Sequence, residues 1–307
     1  VCCDEKKIFK TVNKYGGKIV YTKDQTFSSS GIINKTDFIF DTNQRNFIEK
    51  IKKKYGYNKI SLIFKKFKKL KIMIIGELII DKYCFGNVIG KSGKEPHLVM
   101  QEKKIEYYLG GSAAIANHLS SFVNKIEILS PFGFEKFYND LIKNNFNKNI
   151  KTHFIKPKKN YQTITKTRFV DQISGYKLFG SYILPSEQNL DFVNTVKKVI
   201  KNQKDKVDYF LVCDYGHNFI DHQIANQIKN SKKEIFLNTQ VNAANIGYHS
   251  INKYNNISSL IINENELRQE FAAAGIMLDD MTGLAPSPAG GFRQTGSLAI
   301  NYAASGG

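Results

Sequence analysis

Apolar residues along this chain change period several times, and each change marks an element. Short apolar runs of strand length occur at Ile72–Ile75, Ile126–Leu129, Tyr209–Cys213, Ile235–Leu237 and Leu260–Ile262. Between them lie stretches such as Phe192, Val193, Val196, Val199 and Ile200, whose spacing is that of one helix face. Buried strands alternating with amphipathic helices predict an α/β fold built on a doubly wound parallel sheet. Two further runs, Leu98–Tyr108 and Thr163–Tyr182, alternate more like exposed antiparallel strands and predict a small separate sheet.

The flanks read differently. In residues 1–33, Ile8 and Val12 lie one helical turn apart, Gly16-Gly17 stop the helix, and Lys18–Tyr21 is a short strand before the loop Phe27-Ser28-Ser29-Ser30. Residues 34–70 carry two helical patterns, the first with Phe47, Ile48, Ile51 and Tyr55 and ended by Gly56. In the second, Ile63, Phe67 and Leu70 back a basic face, so this segment reads as a helical linker. Residues 71–270 hold the α/β pattern. From Phe271 to Gly307 there is not a single Lys, and Ala, Gly, Ser and Pro dominate, which predicts a compositionally foreign or disordered tail.

Composition narrows the classes. A chain of 307 residues can bury one substantial core. Its strongest apolar run is interrupted by Glu77, far short of the roughly 20 residues that a bilayer requires. The chain begins with Val, and no charged-then-apolar leader follows, so the expectation is a cytoplasmic piece of a longer protein. The net charge of +18 raises the question of nucleic acid, but the lysines are spread along the chain rather than gathered on one motif. That dispersal argues against a nucleic-acid partner. Cys2, Cys3, Cys84 and Cys213 have neither C-x-x-C spacing nor nearby paired histidines, which argues for reduced thiols and against a zinc site.

Chemistry-bearing residues gather at the ends of the predicted strands. Gly76 and Glu77 follow the first run, and Asp81 comes at the start of the next loop. Gly110-Gly111 precede a helical pattern of Ile115, Leu119, Phe122 and Val123, placing bare backbone at a helix N-terminus that favours hydroxyls or anions. Lys166 and Arg168 alternate onto one strand face, where two cations suit a phosphate. Asp214 ends the Tyr209–Cys213 run, and His217 three residues on reads as a surface histidine. Asn263 and Glu266 follow the last strand at the spacing of a helix capping box. Each feature has a plain structural alternative: a turn or cap for Asp81, a tight turn for the glycine pair, a solvated face for the two cations.

Taken together, Gly76 to Asp81, Gly110-Gly111, Asp214-Tyr215-Gly216 and Asn263-x-x-Glu266 resemble the ribokinase-like, or phosphofructokinase-B, sugar kinases. Within that family the resemblance is to the kinase part of bifunctional ADP-heptose synthases. It implies a doubly wound ribokinase-like sheet with a small β-lid over the sugar, incomplete at its C-terminus. By the same resemblance Asp81, Gly110, Gly111, Lys166, Arg168 and Asp214 bind substrate. Asn117 stands in for an Asn that the family carries where this chain has Ala114. Asn238, Asn263 and Glu266 are implied on the ATP side, with Glu266 holding Mg²⁺ through water. The implied partners are a sugar phosphate and a second copy joined through the lid.

The departures matter as much. Glu77 replaces the family's Asp, and Asn238-Thr239-Gln240 replaces its Asp-Pro-Lys. The Gly-x-Gly-Asp element whose Asp deprotonates the attacking hydroxyl does not occur in these 307 residues, where Gly290-Gly291-Phe292-Arg293 lacks the acid. No catalytic residue is therefore assigned. Tyr15–Tyr21 and the serines that follow resemble the end of an adenylyltransferase domain, whose nucleotide motif is missing. The expectation is a truncated heptose 7-phosphate kinase, inactive by itself, with a non-catalytic sugar-phosphate-binding protein as the alternative and a basic nucleic-acid-binding protein behind it.

Overall fold

The computed structural model describes residues 12–17, 41–156, 161–185, 192–241, 251–263, 266–268 and 297–300. Two compact units emerge, residues 1–50 and 51–307. In the first, a helix ends in a turn at Tyr15 and Gly16, with the Gly17 N–H donating to the Val12 carbonyl at 3.0 Å. The strand expected at Lys18–Tyr21 and the serine loop lie outside the described residues. Helix α1 (Thr42–Phe67) is broken at Gly56, whose φ of 64° and ψ of 166° leave the helical region. Gly56 thus separates two helical stretches, as the sequence pattern implied.

The second unit holds two sheets. The larger contains β1 (Lys71–Gly76), β4 (Lys125–Pro131), β5 (Ile150–Ile155), β8 (Tyr209–Asp214), β9 (Glu234–Thr239), β10 (Ser259–Asn263) and β11 (Ser297–Ile300). Their spatial order is β11-β10-β9-β8-β1-β4-β5, parallel throughout except at β11. All five apolar runs are strands of this sheet; β5 was not anticipated, because its exposed Lys151 and half-buried Thr152 and His153 break the apolar run. Ser297–Ile300 pairs antiparallel with β10.

Helices cover both faces. On one, α2 (Gly111–Ser120) and α3 (Lys136–Asn145) contribute Ala113, Ala116 and Ile142 to a core with Ile74, Ile126, Ile128 and Phe132. On the other, α4 (Val193–Gln203) and α5 (His222–Asn230) bury Val196, Ile200, Ile224 and Ile228 against Met73, Val212, Leu237 and Ile262. Alternate residues of each strand feed the two cores, which is why these strands read as unbroken apolar runs.

The second sheet is a lid of β2 (Leu78–Lys91), β3 (Leu98–Gly110), β6 (Thr165–Asp171) and β7 (Lys177–Ile183), in the order β3-β2-β6-β7. Two expectations change here. Asp81 lies inside β2 and not at the start of a loop, because the chain continues from β1 into β2 with only Glu77 between them. The lid is also not purely antiparallel: β2 and β6 run parallel, both leaving the carboxyl end of the main sheet in the same sense.

Candidate functional site

From β1 the chain moves outward to β4 and β5, then returns to the opposite side of β1 at β8 and continues to β9 and β10. Where a parallel sheet reverses its winding, the carboxyl ends of adjacent strands open a crevice. Here that crevice is flanked by Glu77 after β1, by Asp214 at the end of β8, and by the start of α2.

Gly110 and Gly111 form the floor beside β2. A Cβ on Gly110 would stand 2.3 Å from Asp81 Oδ2, and Gly111 has φ of +56° with a would-be Cβ 2.4 Å from the Glu77 carbonyl oxygen. Only glycine gives both the left-handed turn and this approach. The turn delivers the Ser112 N–H to the Glu77 carbonyl at 2.9 Å, which starts α2 against the root of the lid.

Sheet register gathers the lid residues. Asp81 on β2 is paired with Tyr108 on β3 and Lys166 on β6, and Lys166 with Tyr182 on β7. The next row on the same face is Glu106, Tyr83, Arg168 and Gly180. Arg168 donates to Asp81 Oδ1 at 2.5 Å while its guanidinium lies 5.3 Å from the Tyr83 ring centre. Lys166 is a largely buried residue, and its Nζ lies 5.5 Å from the Tyr182 ring centre. Desolvation holds its pKa below the ordinary lysine value, against the pull of the Asp81 carboxylate. Asp81, Tyr83, Phe85, Glu106 and Tyr108 line an open recess of about 380 Å³ on this face.

Asp214 is buried at the crevice. Its Oδ1 accepts the Gly216 N–H at 3.0 Å; its Oδ2 accepts the Tyr254 hydroxyl at 2.6 Å and pairs with Lys253 Nζ at 2.7 Å. Glu77, 0% exposed, accepts the backbone N–H groups of Tyr215 at 2.9 Å and His217 at 3.1 Å. Burial first, and then the nearby Asp214 charge, push the Glu77 pKa up to about 7. His217 is 5% exposed, so the surface-histidine reading is corrected: the loop is drawn inward by Glu77.

The structure brings Asp81, Gly110, Gly111, Lys166, Arg168 and Asp214 to one end of the sheet. Asn117 does not join them, because six residues of helix carry it about 9 Å along α2 from Gly111. Asn238, at the carboxyl end of β9, donates across to the Ile261 carbonyl at 3.2 Å. Glu266 accepts the N–H groups of Val241 at 3.2 Å and Asn263 at 2.9 Å, the geometry of a capping box. Among the described residues no three His, Cys, Asp or Glu side chains are grouped to hold a metal ion.

Sequence reasoning missed Glu135, Thr163, Lys253 and Tyr254. Glu135 follows the carboxyl end of β4, the same signal that flagged Asp214, and its carboxylate takes the Thr163 N–H and hydroxyl. Lys253 and Tyr254 reach Asp214 across some forty residues of chain, with no local motif to announce them.

The model of the pfkB family carbohydrate kinases matches residues 69–287. The chain belongs to this family of carbohydrate kinases. Its members take the transferred phosphoryl group from ATP, typically with Mg²⁺. Among curated relatives, the bifunctional protein HldE of Aliarcobacter butzleri is 25% identical over 166 residues, covering 53% of this chain and 34% of that protein. HldE of Desulfatibacillum aliphaticivorans is 22% identical over 222 residues, covering 71% of this chain and 43% of that protein. The chain thus spans between about a third and somewhat under half of these relatives' length. The tetrameric inhibited form of phosphofructokinase-2 from Escherichia coli aligns over 76% of this chain and 77% of its own, at 11% identity and a TM-score of 0.49. The family match runs into the Lys-free tail as far as residue 287. No helix among the described residues is long and apolar enough to cross a membrane.

Proposed function

We propose that this pfkB-family chain carries the sugar-binding half of a heptose 7-phosphate-like kinase, in which Asp81 holds sugar hydroxyls and Lys166 with Arg168 meets the substrate's phosphate. The observation that carries this reading is Lys166. It is buried, and its charge is disfavoured by burial, yet among the described residues no carboxylate lies within the 4 Å of an ion pair. An ammonium group taken partly out of water is costly, and an anion beside it offsets that cost. A phosphorylated sugar on Asp81 supplies one; a neutral sugar does not. Asp214 and the glycine pair would close the other side of the same substrate.

In this reading the complete parent moves the ATP γ-phosphoryl group to the sugar's anomeric hydroxyl in nucleotide-sugar biosynthesis. The 307 residues alone bind but do not turn over, since they carry no Gly-x-Gly-Asp base. Asn238, Asn263 and Glu266 would border the nucleotide. Residues 1–33 would be the end of an adenylyltransferase domain, residues 34–70 the linker, and the protein cytoplasmic. The opposite lid face carries the stacked pair Phe169 and Phe179, ring centres 4.2 Å apart, with Phe179 exposed, which supports a homodimer through the lid.

Calorimetry decides the reading. Titration with heptose 7-phosphate should give saturable binding at least tenfold tighter than the unphosphorylated heptose or inorganic phosphate. Equal affinity for the neutral sugar would remove the phosphate assignment. ATP-dependent sugar phosphorylation by these residues would sink the claim of inactivity.

A further inference from the structure

Glu77 occupies the only residue between β1 and β2, and three structural parts of the crevice converge on it. Its carbonyl accepts the Ser112 N–H at the start of α2, and its carboxylate accepts Tyr215 and His217 N–H from the loop after β8. The chain then runs straight into the strand that carries Asp81. An aspartate at this position, one methylene shorter, would fall short of that loop by roughly 1.5 Å, the length of a carbon–carbon bond.

We propose that Glu77 is a positioning residue: its ionised carboxylate latches the Tyr215–His217 loop against the root of the lid, and the latch opens when the carboxylate takes up a proton. The ionised group is acceptor-only and suits two converging N–H donors, whereas a carboxylic acid turns one oxygen into a donor and faces an N–H with an O–H. Several other groups bear on Glu77. Asp214, Cys213, Tyr215 and the buried imidazole of His217 come from β8 and its loop, Tyr161 from the segment before β6, Lys166 from β6, and Tyr254 from beyond β9. Lys166 is the cation of that set and Asp214 its other carboxylate, with Lys253 on the far side of Asp214. Burial and Asp214 together bring the proton uptake of Glu77 into the neutral range, at about 7.

Hydrogen–deuterium exchange on the whole chain tests this without any ligand. In the wild type, after correction for intrinsic rates, peptides covering residues 214–218 should exchange about tenfold faster at pH 6 than at pH 8. Peptides from β1 and β8 should hold steady. Glu77→Gln should exchange fast in the loop at both pH values with its strands still protected. If that variant does not fold, the wild-type pH series is repeated on His217→Asn, in which the pH dependence should persist; its loss there overturns the latch. Loop protection that is independent of pH, or greater at pH 6, overturns the latch; so does a folded Glu77→Gln with an unchanged loop. The consequence for substrate rests on the function proposed above: sugar-phosphate affinity should follow loop protection with pH. If no sugar phosphate binds at any pH, that function fails while the exchange result still judges the latch.

Discussion

The Glu135 carboxylate accepts both the backbone N–H and the hydroxyl of Thr163, at 2.7 and 2.5 Å. Thr163 stands at the root of β6, and its hydroxyl oxygen also accepts the Gly133 N–H at 2.9 Å. Glu135 opens α3 but does not cap it with its side chain; the charge is committed to the lid root instead. Glu135→Ala should therefore cost about 2 kcal/mol in chemical denaturation, the worth of a charge-assisted hydrogen bond with a buried partner left unsatisfied. Glu135→Gln should recover about half of it. A loss below about 0.5 kcal/mol for the alanine variant would show that water replaces the carboxylate.

Gly110 faces Asp81 without room for a methyl group. Gly110→Ala should displace the Asp81 side chain, break its bond to Arg168, and lower sugar-phosphate affinity by at least tenfold. Alanine at Gly111 meets the same crowding and a left-handed φ of +56° besides. It should destabilise by about 1–3 kcal/mol in addition to its effect on binding. Denaturation and calorimetry on both variants separate strain from lost contact.

Lys166 sits where burial disfavours its charge. Its folded pKa is depressed, so below the unfolded lysine value the unfolded state holds the proton more readily and the fold bears the burial cost. Stability should rise with pH on approaching 10.5 in the wild type relative to Lys166→Met. The methionine variant should equal or exceed the wild type in melting temperature at pH 7 while losing sugar-phosphate binding. A variant that melts lower and still binds would contradict both statements.

Glu127 carries a separate acid dependence. It is 1% exposed on β4, with Lys125 Nζ on Oε1 and His153 Nε2 on Oε2, each at 2.5 Å. Although burial alone would raise it, the two partners draw its pKa below 4.5. Its stabilising contribution is thus complete above 4.5 and disappears as pH falls through the lower folded value. Glu127→Gln should cost about 1–2 kcal/mol at pH 7, modest because Lys125 is 42% exposed, and the difference should shrink below pH 4. A difference constant down to pH 3 would assign the effect to packing.

How much of this was legible beforehand follows from the kind of signal each part leaves. The strands of the main sheet are buried on both faces, so they announce themselves as apolar runs, and the acid at the end of one of them, Asp214, could be picked out by position alone. The half-exposed β5 leaves no such run. Asp81 was expected at the start of a loop and lies inside β2, because Glu77 looks like a strand terminator when its carboxylate is in fact buried and satisfied by the next loop. Glu266 accepts two backbone N–H groups as a helix cap does, and because a cap and a water-mediated Mg²⁺ contact ask for the same residue at the same spacing, the sequence pattern does not separate them. Lys253 and Tyr254 complete Asp214 from far along the chain, a relation that only the fold creates.

The parallel pairing of β2 with β6 also governs how this protein is made. Asp81 and Arg168 are 87 residues apart in sequence, and no hairpin can bring their strands together. The β2–β3 hairpin can form as soon as it emerges from the ribosome, but its inner edge stays unpaired until β4, α3, β5 and β6 have all followed. Over that interval the edge of β2 is open to any other strand. Contacts of such sequence separation form late and slowly. The face that carries Asp81 and Arg168 therefore assembles only once β6 has followed, and on the function proposed above refolding should show sugar-phosphate binding returning after the bulk of the secondary structure has recovered.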